Sequence, residues 1–270
     1  MARFITLIVA ICMGLITASI ADRKGYSKKG FYWYGFFVFI PALIHSLLLP
    51  NKLDTTKKQY QGKTLGYCVT SVVCLWFLFI FSFYQIIISG QIYRLNLLSN
   101  IDMLLSFSMG IVMPILLMVS AMLARKYKYS IVVYAIEAVY AVRGVIYILI
   151  NLAGLGKGTP TVLTYGYLVA DVFTAVAYGM LILFAHKYGV KSEKLAGSGA
   201  FLFVIPGFAV LISKLIPIVM MFQLQFYNEI ELALQIAQAL IAFVAVLFIG
   251  LFYQEEAKYN EVDLAEEISA

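Results

Sequence analysis

Apolar residues run in eight long blocks separated by short polar stretches, at 4–20, 31–49, 66–89, 101–123, 130–152, 161–185, 200–222 and 230–253. A bilayer core about 30 Å thick needs roughly 20 mostly apolar helical residues, each rising about 1.5 Å, and every block meets or nearly meets that length. Helices are forced, because any open alternative leaves backbone N–H and C=O groups without partners in lipid. The pattern predicts an all-α, polytopic integral membrane protein of about eight transmembrane helices.

The polar stretches give the chain its orientation. Loop 50–65 carries Lys52, Lys57, Lys58 and Lys63, loop 124–129 carries Arg125, Lys126 and Lys128, and loop 186–199 carries Lys187, Lys191 and Lys194. These are expected in the cytoplasm, and the basic-poor loops 90–100, 153–160 and 223–229 outside. Four parts follow: a two-helix membrane hairpin over 1–50, a basic cytoplasmic linker over 51–65, a six-helix bundle over 66–253 and an acidic cytoplasmic tail over 254–270. The tail, with Glu255, Glu256, Glu261, Asp263, Glu266 and Glu267, is expected to be solvated and mobile.

One loop conflicts with this scheme. Residues 21–30 hold Arg23, Lys24, Lys28 and Lys29, yet eight full crossings put them outside. Either the loop breaks the charge rule or the first hairpin does not fully cross; its short first block admits a tilted, shallow or re-entrant arrangement. Ser19-Ile20-Ala21 looks like a signal-peptidase site, but Arg3 alone makes a poor charged leader, and an uncleaved first helix is expected.

Composition narrows the function classes. At 63% hydrophobic and 13% charged over 270 residues, with a mean hydropathy of +0.91, no stretch is long and polar enough for a soluble enzyme with one anchor, a disordered scaffold or a secreted disulfide module. The net charge of +6 lies in short clusters between apolar blocks, which fits an anionic membrane surface and implies no nucleic-acid partner. Cys12, Cys68 and Cys74 fall inside apolar blocks without the close Cys or His neighbours of a metal site. With only His45 and His186, a multi-histidine centre is excluded by counting, and no metal or cofactor is expected.

The stretch from Ala21 to Pro50 contains Lys24-Gly25-Tyr26-Ser27, Trp33-Tyr34-Gly35, and Pro41-Ala42-Leu43-Ile44-His45-Ser46-Leu47-Leu48-Leu49-Pro50. It resembles a two-helix segment of many uncharacterised bacterial membrane proteins, in which a Lys-Gly-Arg-Ser/Asn turn leads to W-x-Y-G and an A-L-I-H-x-L-L-L helix end. It departs from that pattern where Tyr26 replaces arginine and Tyr34 directly follows Trp33. The resemblance covers about 30 residues, implies a bacterial plasma membrane, and carries no activity. Tyr26, Phe31, Tyr32, Trp33 and Tyr34 form an aromatic belt beside basic residues, so His45 is expected near a membrane face as part of an interfacial anchor.

No acyl-transfer, zinc-protease or phosphate-loop motif is present, and Gly154-Leu155-Gly156-Lys157-Gly158-Thr159 reads as a turn. Small-residue pairs such as Gly62/Gly66 and Ala175/Gly179 allow close helix packing, and Pro114, Pro206 and Pro217 are expected to kink their helices. The informative residues are four charges deep inside apolar blocks, Glu137, Arg143, Asp171 and Lys214. Each costs at least about 2.5 to 3.5 kcal/mol at the bilayer centre unless paired or hydrated. Arg143, Asp171 and Lys214 fall roughly 12 to 15 Å below the outer surface, with Glu137 deeper. Tyr140 and Tyr147 extend the arginine's side of its helix, and Gln238 reaches a similar depth.

This places two cations and one carboxylate at the floor of an outward polar cavity. Three readings fit: an ion-pair lock that fixes packing, a site binding or transporting a small anionic or zwitterionic solute, and intramembrane catalysis. The absence of a nucleophile beside Asp171 argues against catalysis, so no enzyme is expected. Inverted topology of the third-to-fifth and sixth-to-eighth helices favours the transport reading. The rival class is a noncatalytic membrane-complex subunit or immunity-type protein, partnered by another membrane protein, whose charges are structural.

Overall fold

The computed structural model describes residues 2–52, 56–88, 162–191, 193, 199–223 and 229–269, with five further helical positions between 142 and 152. Every regular element among them is helical. Three described helices are long and apolar enough to cross a membrane, Tyr165–Val190, Phe201–Gln223 and Glu229–Lys258. The expected helix over 101–123 and most of that over 130–152 lie outside the described residues.

Helix α1 (Ala2–Arg23) carries Gly14, Thr17, Ala18 and Ala21 on one face, spaced three and four apart, and all four are buried. That small-residue seam lets α2 (Lys28–Phe37) approach closely. Gly35 lies directly on Thr17, and a Cβ on Gly14 would come 2.8 Å from the Tyr32 carbonyl oxygen. The Thr17 hydroxyl bridges the pair, donating to Phe31 O at 2.9 Å and to its own helix at Gly14 O at 3.0 Å.

The turn between α1 and α2 is a helix stop followed by a helix start. The Tyr26 N–H donates to Ala21 O at 3.0 Å and the Gly25 N–H to Asp22 O at 2.9 Å, closing a Schellman motif around Gly25 at φ +83°. Ser27 then caps α2, its Oγ accepting from the Gly30 N–H at 3.4 Å.

The apolar block 31–49 is not one helix. It breaks at Val38 (φ −139°, ψ 68°), and α3 (Phe39–Leu48) runs back beside α2. Pro41 explains the break: in a continuous helix its ring would collide with the Phe37 carbonyl and leave that carbonyl without a donor, whereas in the first turn of a new helix it costs nothing. The reversal brings the His45 ring to 5.5 Å from Phe31 and 5.9 Å from Tyr34. At the base of this hairpin the Lys24 Nζ donates to Leu47 O at 2.6 Å and Leu49 O at 2.7 Å, and the Lys52 N–H donates to Lys24 O at 3.2 Å.

Helix α4 (Thr56–Ile88) starts well before the apolar block at 66, so part of the expected linker is helical. It packs on α3 and, antiparallel, on the last helix, α7 (Glu229–Ser269). Tyr67 meets Phe248 with ring centroids 5.4 Å apart, and Lys63 lies 4.0 Å from Glu255. The tail expected to be mobile continues α7 to Ser269 instead. No glycine or proline follows Gly250, and Ala, Leu and Glu favour helix there. Glu255 is only 7% exposed, held between Lys63 and, at 3.0 Å, Lys258.

Helix α5 (Val162–Phe184) continues as a wider π-helical turn over Ala185–Val190, so His186 and Lys187 extend the helix that was expected to end before them. A 3-10 turn (Gly199–Val204) leads into α6 (Ile205–Gln223). Pro206 therefore falls in the first turn of α6, where it opens a helix and does not kink one, while Pro217 is internal. Leu181, Phe184, Phe203, Val246, Ile249 and Tyr253 form the apolar core between α5, α6 and α7.

Candidate functional site

The register of α5 against α6 is fixed at two points. Near one end Gly166 lies on Met220, and near the other the Phe184 ring stacks 4.7 Å from Phe203. The helices are antiparallel, so Asp171, five residues past Gly166, comes level with Leu215 and Lys214. The α6–α7 register is fixed by Phe208 against Phe243 at 5.2 Å and by the close approach of Gly207 to Leu247. Six residues beyond Phe208, Lys214 comes level with Ala237 and Gln238.

Asp171, Lys214 and Gln238 thus occupy one level across three successive helices. Asp171 is half-buried, Lys214 exposed and Gln238 half-buried. The Gln238 Nε2 is itself enclosed and has no hydrogen-bond partner. A buried amide donor left unpaired costs about 1–3 kcal/mol, which an incoming acceptor would relieve. Chemically, the unmet Gln238 donor suits an acceptor group, with an ammonium and a carboxylate at the same level. Arg143, Glu137, Tyr140 and Tyr147 lie outside the described residues.

Three hydroxyls of α4, α5 and α6 donate within their own helices. Thr174 bonds Ala170 O at 3.0 Å, Ser213 bonds Val210 O at 2.8 Å, and Thr70 bonds Gly66 O at 2.7 Å, each the preceding turn of its own helix. Their protons are engaged locally and are not free to donate to a solute.

His45, expected near a membrane face, is enclosed by the rings of Phe31, Tyr34, Tyr67 and Phe248, the nearest at 4.9 Å, and neither ring nitrogen has a hydrogen-bond partner. Gly66 makes room for it, since a Cβ there would come 3.2 Å from the imidazole Cδ2. The cage joins α2, α3, α4 and α7, and no spacing in any one element announces it. Among the described residues no group of three or more His, Cys, Asp or Glu is placed to hold a metal ion; Cys68 and Cys74 are buried packing residues and Cys12 is exposed.

No protein-family model, curated protein or solved structure matches this chain.

Proposed function

We propose that this chain is a multi-pass protein of a bacterial plasma membrane that binds or transports a small anionic or zwitterionic solute through an outward polar cavity. The observation that carries the reading is the unpaired, enclosed Gln238 amide at the level of Lys214 and Asp171. Lys214 and Arg143 supply positive charge, Gln238 a donor, and Asp171 and Glu137 the balancing carboxylates, with Tyr140 and Tyr147 on the arginine's side of its helix. No cofactor enters this reading, and the bilayer is the constant partner. Orientation follows from Lys63, which lies by Glu255 on α7, and from Lys187 and Lys191 in and after the π-helical turn that packs on α7; by the charge rule that end and the C-terminus are cytoplasmic.

The test is a thermal-shift screen of the detergent-purified protein against small anions, amino acids and nucleobases, beside Lys214→Met and Gln238→Leu. A compound that raises the wild-type melting temperature saturably, with the shift lost in both variants, supports a cavity ligand through mass action. No shift with any compound, together with a much less stable Lys214→Met, overturns it.

That second outcome would favour a noncatalytic complex subunit or immunity-type protein. Its supporting observation is the Lys63–Glu255–Lys258 cluster, where this chain already uses charges as ties between and within helices. The double variant Lys214→Met with Asp171→Leu separates the readings: it keeps the folding of a structural protein but abolishes solute binding.

A further inference from the structure

The basic loop 21–30 contradicts full crossings by both of the first two blocks, and the α2–α3 hairpin removes the contradiction. Each arm has ten residues, about 15 Å of helix, which is half of a hydrocarbon core about 30 Å thick. The arms return to their starting level. Lys52 bonds Lys24 through the backbone, the Lys24 ammonium holds the last carbonyls of α3, and the Lys52 Nζ lies 5.5 Å from the centre of the Tyr26 ring.

The two ends of the hairpin differ sharply in chemistry. Its tip reads Phe36-Phe37-Val38-Phe39-Ile40, with Phe37 61% exposed, and carries no polar side chain. A reversal exposed to water is normally built from Gly, Asn, Asp, Pro or Ser. Its base holds Asp22, Arg23, Lys24, Ser27, Lys28, Lys29, Asn51 and Lys52. Irregular backbone at membrane depth survives where protein covers it, and here Gly35, Pro41 and Ala42 are buried as the arms pack on α1.

We propose that α2–α3 is a re-entrant hairpin that enters and leaves the bilayer on the cytoplasmic face, and that its base is a cationic collar for anionic phospholipid headgroups. Arg23, Lys28, Lys29 and Lys52 are exposed there, with Asp22 the only acidic residue among residues 21–30. Lys28 lies 3.9 Å from Asp22, which leaves the collar strongly positive. Trp33, 57% exposed one turn further along α2, suits the depth just below the headgroups. Partial burial lowers the pKa of Lys24, but its ammonium donates to two carbonyls, so Lys24 holds the collar's shape while its neighbours face the lipid. Loop 21–30 then joins Lys52 to Lys63 on one face, all basic loops obey the charge rule, and α1 begins outside.

Two measurements test this in a Cys12→Ala background, where Cys68 and Cys74 are buried. Single cysteines replace Lys28, Asn51 and Phe37, and a membrane-impermeant maleimide is applied to spheroplasts and to inverted vesicles. Lys28→Cys and Asn51→Cys should label from the cytoplasmic side alone, and Phe37→Cys from neither. Labelling of Lys28→Cys and Asn51→Cys from opposite faces overturns the re-entrant hairpin, and labelling of both from outside overturns its cytoplasmic placement. In lipid nanodiscs, phosphatidylglycerol should raise the melting temperature above that in phosphatidylcholine, and Lys28→Gln with Lys29→Gln should lose much of the gain. Inorganic phosphate added to the phosphatidylcholine discs should not reproduce it. Equal melting temperatures in the two lipids, a gain that survives the double substitution, or an equal gain from free phosphate overturns the collar.

Discussion

The α1–α3 unit and the α5–α7 layer are both built from apolar helices, but they treat polar groups in opposite ways. In α1–α3, Thr17 ties two helices, Lys24 closes a third, Ser27 starts one, and Ser46 bonds Leu43 O at 2.8 Å. Most polar groups there are consumed by the fold, the buried Tyr34 hydroxyl and the two His45 ring nitrogens being left without hydrogen-bond partners. In α5–α7 the helices are held by an aromatic and aliphatic core and by glycines, while Asp171, Lys214 and Gln238 share a level at which one enclosed donor is unmet. Polar groups that the backbone satisfies explain architecture; an unmet donor level with an ammonium and a carboxylate is where an incoming acceptor would gain most.

The strongest way to break this comparison is through the glycines that both regions use for close approach. A Cβ on Gly250 would collide with the Phe203 carbonyl oxygen, a backbone atom that cannot rotate away. Gly250→Ala is expected to destabilise by about 3 kcal/mol, the upper range for overpacking, because the 3-10 turn that leads into α6 must move off α7. Gly35→Ala should cost somewhat less: the Thr17 hydroxyl it meets can turn at the expense of its bond to Phe31 O, but the Thr17 Cβ, 2.9 Å away, cannot, so α1 and α2 must still part slightly. Gly179, with open space around it, is the control, and Gly179→Ala should be neutral or stabilising by up to about 1 kcal/mol. Thermal melts of the three variants check the order; equal losses for Gly250→Ala and Gly179→Ala would remove glycine packing as the tie in α5–α7.

The next effect belongs to the hairpin. Lys24→Met removes two charge-assisted bonds to carbonyls at the end of α3, groups worth about 1.5–3 kcal/mol in favourable settings and less at a half-exposed turn. An expected loss of about 1–2 kcal/mol should come with faster exchange of the amides in residues 39–52 and with no change in α5–α7. Hydrogen exchange reads this directly. A uniform loss across both regions would mean that the hairpin and the layer do not stand as separate cooperative units.

Much of the architecture is legible in the sequence, and its gaps have physical causes. Apolar blocks mark the helices because lipid admits nothing else open, and Gly25 and Ser27 mark the stop and start between α1 and α2. Pro41 marks the break at Val38, yet hydropathy averages over it, so block 31–49 reads as one span until the fate of the Phe37 carbonyl is considered. The helical tail of α7 is missed for the opposite reason: charge signals solvation, whereas Glu255 is ordered by Lys63, nearly two hundred residues away. Depth comparison groups Asp171, Lys214 and Gln238 from the sequence because helical rise is regular, but it says nothing of which atom lacks a partner.

His45 is the residue that tests the comparison most finely, because with the buried Tyr34 hydroxyl it is a polar group left without a partner in the region where most polarity is consumed. Its two ring nitrogens sit unpaired among four aromatic rings, so replacement by a ring of similar size removes an unmet polar group and keeps the packing. Replacing an unpaired buried polar group by an apolar one of like shape is nearly neutral or stabilising. His45→Phe is therefore expected to change stability by less than about 1 kcal/mol, whereas His45→Ala opens a cavity beside Tyr67 and Phe248 and should cost about 2 kcal/mol or more. Melting curves of both variants in the same lipid decide the matter. If His45→Phe were as damaging as His45→Ala, the imidazole nitrogens would have a partner in the folded protein. The rule drawn from Gln238, that an unmet group is where a partner would gain most, would then extend to the α1–α3 unit as well.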